Sequence, residues 1–128
     1  MFKNKNLFIL IALFSLFVLQ IHAQTPDAAT LTAKGIELAK ANKLIEALEA
    51  FQQSARLAPQ RAASHPNLAN VLMALNPFEE AVAPAREAVR LEPTSAVFRA
   101  KLSKALSMTQ KYDEAISQGE QAVRLDAN

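Results

Sequence analysis

The sequence predicts an all-α fold of stacked helical hairpins behind a short apolar leader. Three observations predict it. Apolar residues recur at the spacing of one helix face, residue types repeat at a constant interval of 34 positions, and the composition disfavours β structure: of 128 residues, 51% are hydrophobic, two are glycine and none is tryptophan. The length suits one domain rather than two independent cores. Cysteine is absent. That excludes a disulfide framework, a cysteine–zinc site, a thiol nucleophile and a lipid-modified cysteine.

Residues 1–23 are set apart. Lys3 and Lys5 form a basic start, Leu7 to Leu19 is an apolar run broken only by Ser15, and Ala23 offers a small residue before Gln24. Basic start, short apolar core and small-residue boundary form the pattern of a secretory signal peptide, with cleavage expected after Ala23. The alternative is an uncleaved anchor, although the run is shorter than the roughly 20 residues that span a bilayer. Export to the periplasm or cell exterior is therefore expected, with membrane attachment only if the leader stays. Subtracting it removes two of the 14 basic residues and none of the 12 acidic ones, so residues 24–128 carry 12 of each sign. The net charge of +2 belongs to the leader, no basic patch asks for a nucleic acid, and the interleaved aromatics of such surfaces are missing.

After a linker at 24–27, three units follow at 28–61, 62–95 and 96–128. Glu46-Ala47, Glu80-Ala81 and Glu114-Ala115 are in register, as are Leu38, Leu72 and Leu106, and Leu57, Leu91 and Leu125. Pro59 and Pro93 follow apolar-periodic segments and stop them. Each unit reads as two amphipathic helices joined by a polar turn: Asn42-Lys43, Asn76-Pro77 and Gln110-Lys111. Asn76 is expected to cap the following helix, with Pro77 at its first position and Glu79 and Glu80 at the positive end of its dipole. Pro84 falls about seven residues into that helix and should kink or shorten it. In the third unit Ala115, Ile116, Gly119, Ala122 and Val123 recur as a helix stripe.

A helix–turn–helix unit of 34 residues in three copies resembles the tetratricopeptide repeat, over residues 28–128. The small residue at that family's close helix crossing matches Gly35, Ala69 and Ser103. Its alanine early in the second helix matches Ala47, Ala81 and Ala115. Its aromatic before that helix matches Phe78 and Tyr112, with Leu44 substituting, and its later bulky position holds Phe51, Ala85 and Gly119. Its closing proline is Pro59 and Pro93, and is replaced at Ala127. Its tryptophan-favoured place holds Leu31, His65 and Arg99.

The resemblance implies a right-handed superhelix whose first helices line a concave groove for an extended peptide or a partner helix. The candidate groove residues are Thr32, Ile36, Asn67, Asn70, Met73, Val97, Lys101 and Lys104. Asparagine amides can pair with a peptide backbone, and Met73 and Ile36 can receive an apolar side chain. One subclass of the family clamps the terminal carboxylate of chaperone tails with five Lys, Asn and Arg side chains. Asn67 and Lys101 fall on two of those places, but Thr32, Ile36 and Val97 occupy the other three, so no such clamp is expected. No cofactor is implied. Catalysis has no support: His65 follows Ser64 directly, and adjacent residues at a helix start do not aim at each other as a nucleophile and base must. No glycine-rich phosphate loop or cluster of metal ligands is apparent.

The last helix offers a second surface. Ile116, Gly119 and Val123 are expected to face outward at the end of the array, where repeat proteins carry a polar cap. Small side chains there limit the exposed apolar area. The other use of the stripe is packing against a second copy or another protein. The function read from the sequence is thus a non-catalytic protein-interaction module. The alternative is a structural subunit of a cell-envelope assembly, held through repeat end faces or an uncleaved anchor.

Overall fold

The computed structural model describes residues 8–11 and 26–127. Apart from residues 8–11, which are helical and exposed, the leader and its cleavage boundary lie outside the described residues. Among the described residues no helix is long and apolar enough to cross a membrane.

Six helices follow in chain order: α1 (Ala28–Lys40), α2 (Leu44–Leu57), α3 (Ser64–Leu75), α4 (Phe78–Leu91), α5 (Ala96–Met108) and α6 (Tyr112–Asp126). Asp27 starts α1 by accepting a 2.7 Å hydrogen bond from Thr30 N, and Ser95 starts α5 by accepting from Phe98 N. The helices α2 and α4 end two residues before Pro59 and Pro93. They pair as antiparallel hairpins, α1 with α2, α3 with α4 and α5 with α6. First helices of successive hairpins touch each other, α1 with α3 and α3 with α5, whereas the backbones of α2, α4 and α6 stay apart. First helices therefore lie on the inside of the curve.

Alanine makes this closeness possible. Ala47, Ala69, Ala81 and Ala105 are wholly buried, and Leu106 and Phe51 fill the spaces between them. Around Phe51, Ala47 and Val71 gather Leu38, Leu44, Leu48, Leu68 and Leu75, which joins the first hairpin to the second. Leu72, Met73, Val82, Leu102 and Leu106 do the same between the second and third.

The turns within the hairpins depart from the sequence expectation. Asn42, Asn76 and Gln110, 34 positions apart, all adopt left-handed backbone, with φ of 59°, 79° and 60°. Asn76 ends α3 instead of capping α4, and Pro77 sits at the cap position of α4 rather than its first turn. In the first and third hairpins, Lys43 N and Lys111 N reach back 2.9 Å to Leu38 O and Leu106 O, the long bond of a left-handed helix end. Pro77 has no N–H to donate there, so the second turn lacks that bond. Pro84 does not shorten its helix: α4 has 14 residues, as α2 does.

Candidate functional site

The inward stripe of the first helices consists of three residues per hairpin in common register: Ala33, Ile36 and Lys40 on α1, Asn67, Asn70 and Ala74 on α3, and Lys101, Lys104 and Met108 on α5. The spacing of three and four residues keeps each set on one face. A hollow of about 320 Å³ opens along this stripe, lined by Asn70, Met73, Ala74, Asn76, Phe78, Lys104 and Met108. Met73 forms its floor and is nearly buried, while Met108 is 46% exposed. Asn67 donates to Ala63 O at 3.0 Å, leaving its carbonyl oxygen for other contacts. Lys101 is half-buried, and burial, together with the neighbouring Lys104, pushes its ammonium below the usual lysine range.

Of the sequence-predicted groove residues, the structure brings Asn70, Met73 and Lys104 together on one hollow, and places Asn67 and Lys101 on the same stripe a turn away. Ile36 lies in register on α1 and is partly exposed. Thr32 does not belong to the groove. It is 7% exposed at the seam between the first two hairpins. There its hydroxyl donates to Ala28 O at 2.8 Å and meets Ser54 Oγ at 2.7 Å, while Ser54 Oγ also meets Ser64 Oγ at 2.9 Å. Every hydroxyl of the trio is satisfied inside the seam, so none reaches a ligand.

Two further placements differ. Val97 lines a separate shallow hollow of about 260 Å³ with Ala96, Ala100, Ala122, Val123 and Asp126, between α5 and α6. Gly119 does not face outward with Ile116 and Val123. A Cβ there would lie 3.2 Å from Ser103 Oγ, so position 119 faces α5, whereas Ile116 and Val123 are 60% and 70% exposed. Hollow-lining residues that the sequence reading missed are Ala74, Asn76, Phe78 and Met108, and Lys40 shares their stripe. The signal was present, because Lys40, Ala74 and Met108 stand 34 apart.

His65 is structural. It is 8% exposed and its Nε2 lies 2.8 Å from Pro59 O, an acceptor that calls for the proton on that nitrogen. Arg99, in register, donates from Nε to Pro93 O at 2.9 Å, so both residues tie a first helix to the loop before it. Ser64 is bound into the seam trio. Among the described residues no group of three His, Asp or Glu side chains is placed to hold a metal ion.

No family model and no curated protein matches the sequence. Solved structures do. The second tetratricopeptide-repeat domain of Spaghetti (RPAP3), bound to the HSP90 peptide SRMEEVD, superposes with a TM-score of 0.75 at 21% identity, covering 77% of this chain and 92% of that one. The first such domain of the same protein, with the same peptide, gives 0.76 at 24% identity over 80% and 81%. The Sgt2 domain from Aspergillus fumigatus gives 0.75 at 21% identity over 81% and 69%. The chain has the tetratricopeptide-repeat fold. Within that fold the close crossings of the first and third repeats pair two of the series noted in the sequence: position 35 meets 51, and 103 meets 119.

Proposed function

We propose that this tetratricopeptide-repeat chain is a non-catalytic interaction module that binds a peptide or a partner helix on its concave face. The hollow between α3 and α5 carries the reading, because it sets an apolar floor of Met73, Phe78 and Met108 among the polar groups of Asn70, Asn76 and Lys104. An apolar side chain entering it would be desolvated, and the amides would hold the adjacent backbone. Similarity to domains bound to a peptide supports the same mode. Affinity capture with the wild type and with an Asn70→Ala, Met108→Ala double variant tests it. Loss of the captured partners in the variant is expected, and partners captured unchanged would refute the concave site. Both residues lie outside the core clusters, so the variant should keep its fold.

A second reading has its own observation. The hollow of Val97, Ala100, Ala122 and Val123, beside exposed Ile116, favours contact through the face of the third repeat, with a second copy or an envelope protein. Sedimentation at micromolar concentration checks the second copy: a monomer whose sedimentation Val123→Lys leaves unchanged removes it. Export behind a cleaved leader is proposed from residues 1–23, and N-terminal sequencing that found Met1 intact in a membrane fraction would replace it with the anchored alternative.

A further inference from the structure

The charges of the repeats are sorted by helix. Second helices and their turns carry most of the acids, and many are neutralised in place: Arg86 with Glu114, Lys111 with Glu79, Arg90 with Glu87 and Lys43 with Glu46. The first helices α3 and α5 contain no Asp or Glu at all, and α1 contains only Glu37. Glu37 is in register with buried Val71 and Ala105, so it stands on the flank of α1 and not on the inward stripe. That stripe therefore holds Lys40, Lys101 and Lys104 and no carboxylate. Among the described residues none of the three lysines is in an ion pair. A chain with balanced charge after its leader thus has an inward stripe of one sign, and the hollow over Met73 and Met108 is edged by Lys104.

We infer that the concave face selects acidic segments. The ligand is a peptide or partner helix in which a bulky apolar side chain enters the hollow over Met73 and Met108, while carboxylates within about one helical turn of it pair with Lys104 and Lys101. The inference rests on the concave binding mode proposed above and adds the chemistry of the partner. Recognition is of internal carboxylates. A terminal one is not required, since the side chains that would clamp it are absent at Thr32, Ile36 and Val97. Two partly exposed lysine–carboxylate pairs contribute together on the order of tenfold in affinity.

Random peptides displayed without a free C-terminus and panned on the whole chain test this, with panning repeated on a Lys101→Glu, Lys104→Glu variant and on the Asn70→Ala, Met108→Ala variant. On the wild type, enriched peptides should place Asp or Glu within four residues of Leu, Ile, Met or Phe. The lysine-reversed variant should enrich Lys and Arg instead, and should bind a wild-type winner at least roughly tenfold more weakly. A Lys101→Gln, Lys104→Gln variant gives the roughly tenfold loss of the pairs alone if the reversed one misfolds. Enriched apolar peptides without acids, lost on the Asn70→Ala, Met108→Ala variant, would overturn the charge selectivity and leave the concave site standing. No enrichment, or enrichment indifferent to that variant, would overturn both.

Discussion

Adding one methyl group at Gly35 should destabilise the protein, and the same methyl should stabilise it once Phe51 is gone. A Cβ at position 35 would lie 2.6, 2.8 and 2.9 Å from Cε1, Cδ1 and Cζ of Phe51. The ring is 1% exposed and is enclosed by Ala47, Val71 and five leucines, so it has no space to swing into. Overpacking of this kind costs about 1–3 kcal/mol, against about 1 kcal/mol gained by replacing a mid-helix glycine with alanine. Gly35→Ala alone should therefore lower stability by up to about 2 kcal/mol. Phe51→Ala alone should lower it by about 3–5 kcal/mol, leaving a folded fraction to measure if the domain starts within the usual range of about 5–15. In the Phe51→Ala background the clash has no partner, and Gly35→Ala should raise stability by about 1 kcal/mol. The double-mutant cycle thus has a coupling energy of about 1–3 kcal/mol and a change of sign. Urea unfolding followed by circular dichroism measures all four proteins. Equal destabilisation by Gly35→Ala in both backgrounds would show that the crossing is not held by this contact.

Gln110→Asn should raise the urea midpoint by the equivalent of about 0.5–1 kcal/mol, since asparagine tolerates the left-handed backbone that positions 42 and 76 already give to it. Pro84→Ala should restore one helical hydrogen bond and add about 1–3 kcal/mol by the same assay, because α4 continues through the proline without it. Ser54→Ala should cost about 1–2 kcal/mol, by removing the hydroxyl that meets Thr32 and Ser64 and donates to Ala28 O at 2.7 Å. The Arg86 guanidinium holds Glu114 below the usual carboxylate range in the folded state. Its contribution is therefore complete above the ordinary carboxylate pKa and is lost as pH falls through the folded value, so Glu114→Gln should narrow the difference between midpoints measured at neutral and acid pH.

The helices and their pairing were legible because a 34-residue register and a helical apolar stripe are local signals. The turns were not. Asn76 is a good residue for either a helix start or a left-handed helix end, and only the packing of α3 against α4 decides that the chain must reverse there. Gln110, a residue with no preference for left-handed backbone, occupies the same place because the third hairpin closes as the others do. The crossing residues were legible one series at a time: Gly35, Ala69 and Ser103 as small, and Phe51, Ala85 and Gly119 as variable. Their meaning appears when the series are joined. Glycine faces phenylalanine in the first repeat, and serine faces glycine in the third. In these two crossings the small residue stands on opposite sides, so neither series needs to keep its own consensus.

The candidate site was legible in part for a related reason. Thr32 has the helical phase of a seam and not of a groove, a difference of one position on α1 that the apolar pattern alone does not resolve. Its register partners Pro66 and Ala100 show the consequence: Thr32 and Pro66 are covered by the next hairpin, while Ala100 is exposed beside Val123. The charge of the groove was hidden by averaging, since 12 basic and 12 acidic residues after the leader sum to zero. The fold separates them. Long side chains on α4 reach α6 and the residue that precedes it as ion pairs, Arg86 to Glu114 and Glu79 to Lys111, and so take up charge between helix backbones that do not touch. Inner helices pack against each other through alanine and leucine, and Lys40, Lys101 and Lys104 stay on the inward stripe. Among the described residues, the side that packs closely is thus the side whose lysines, Lys40, Lys101 and Lys104, form no ion pair.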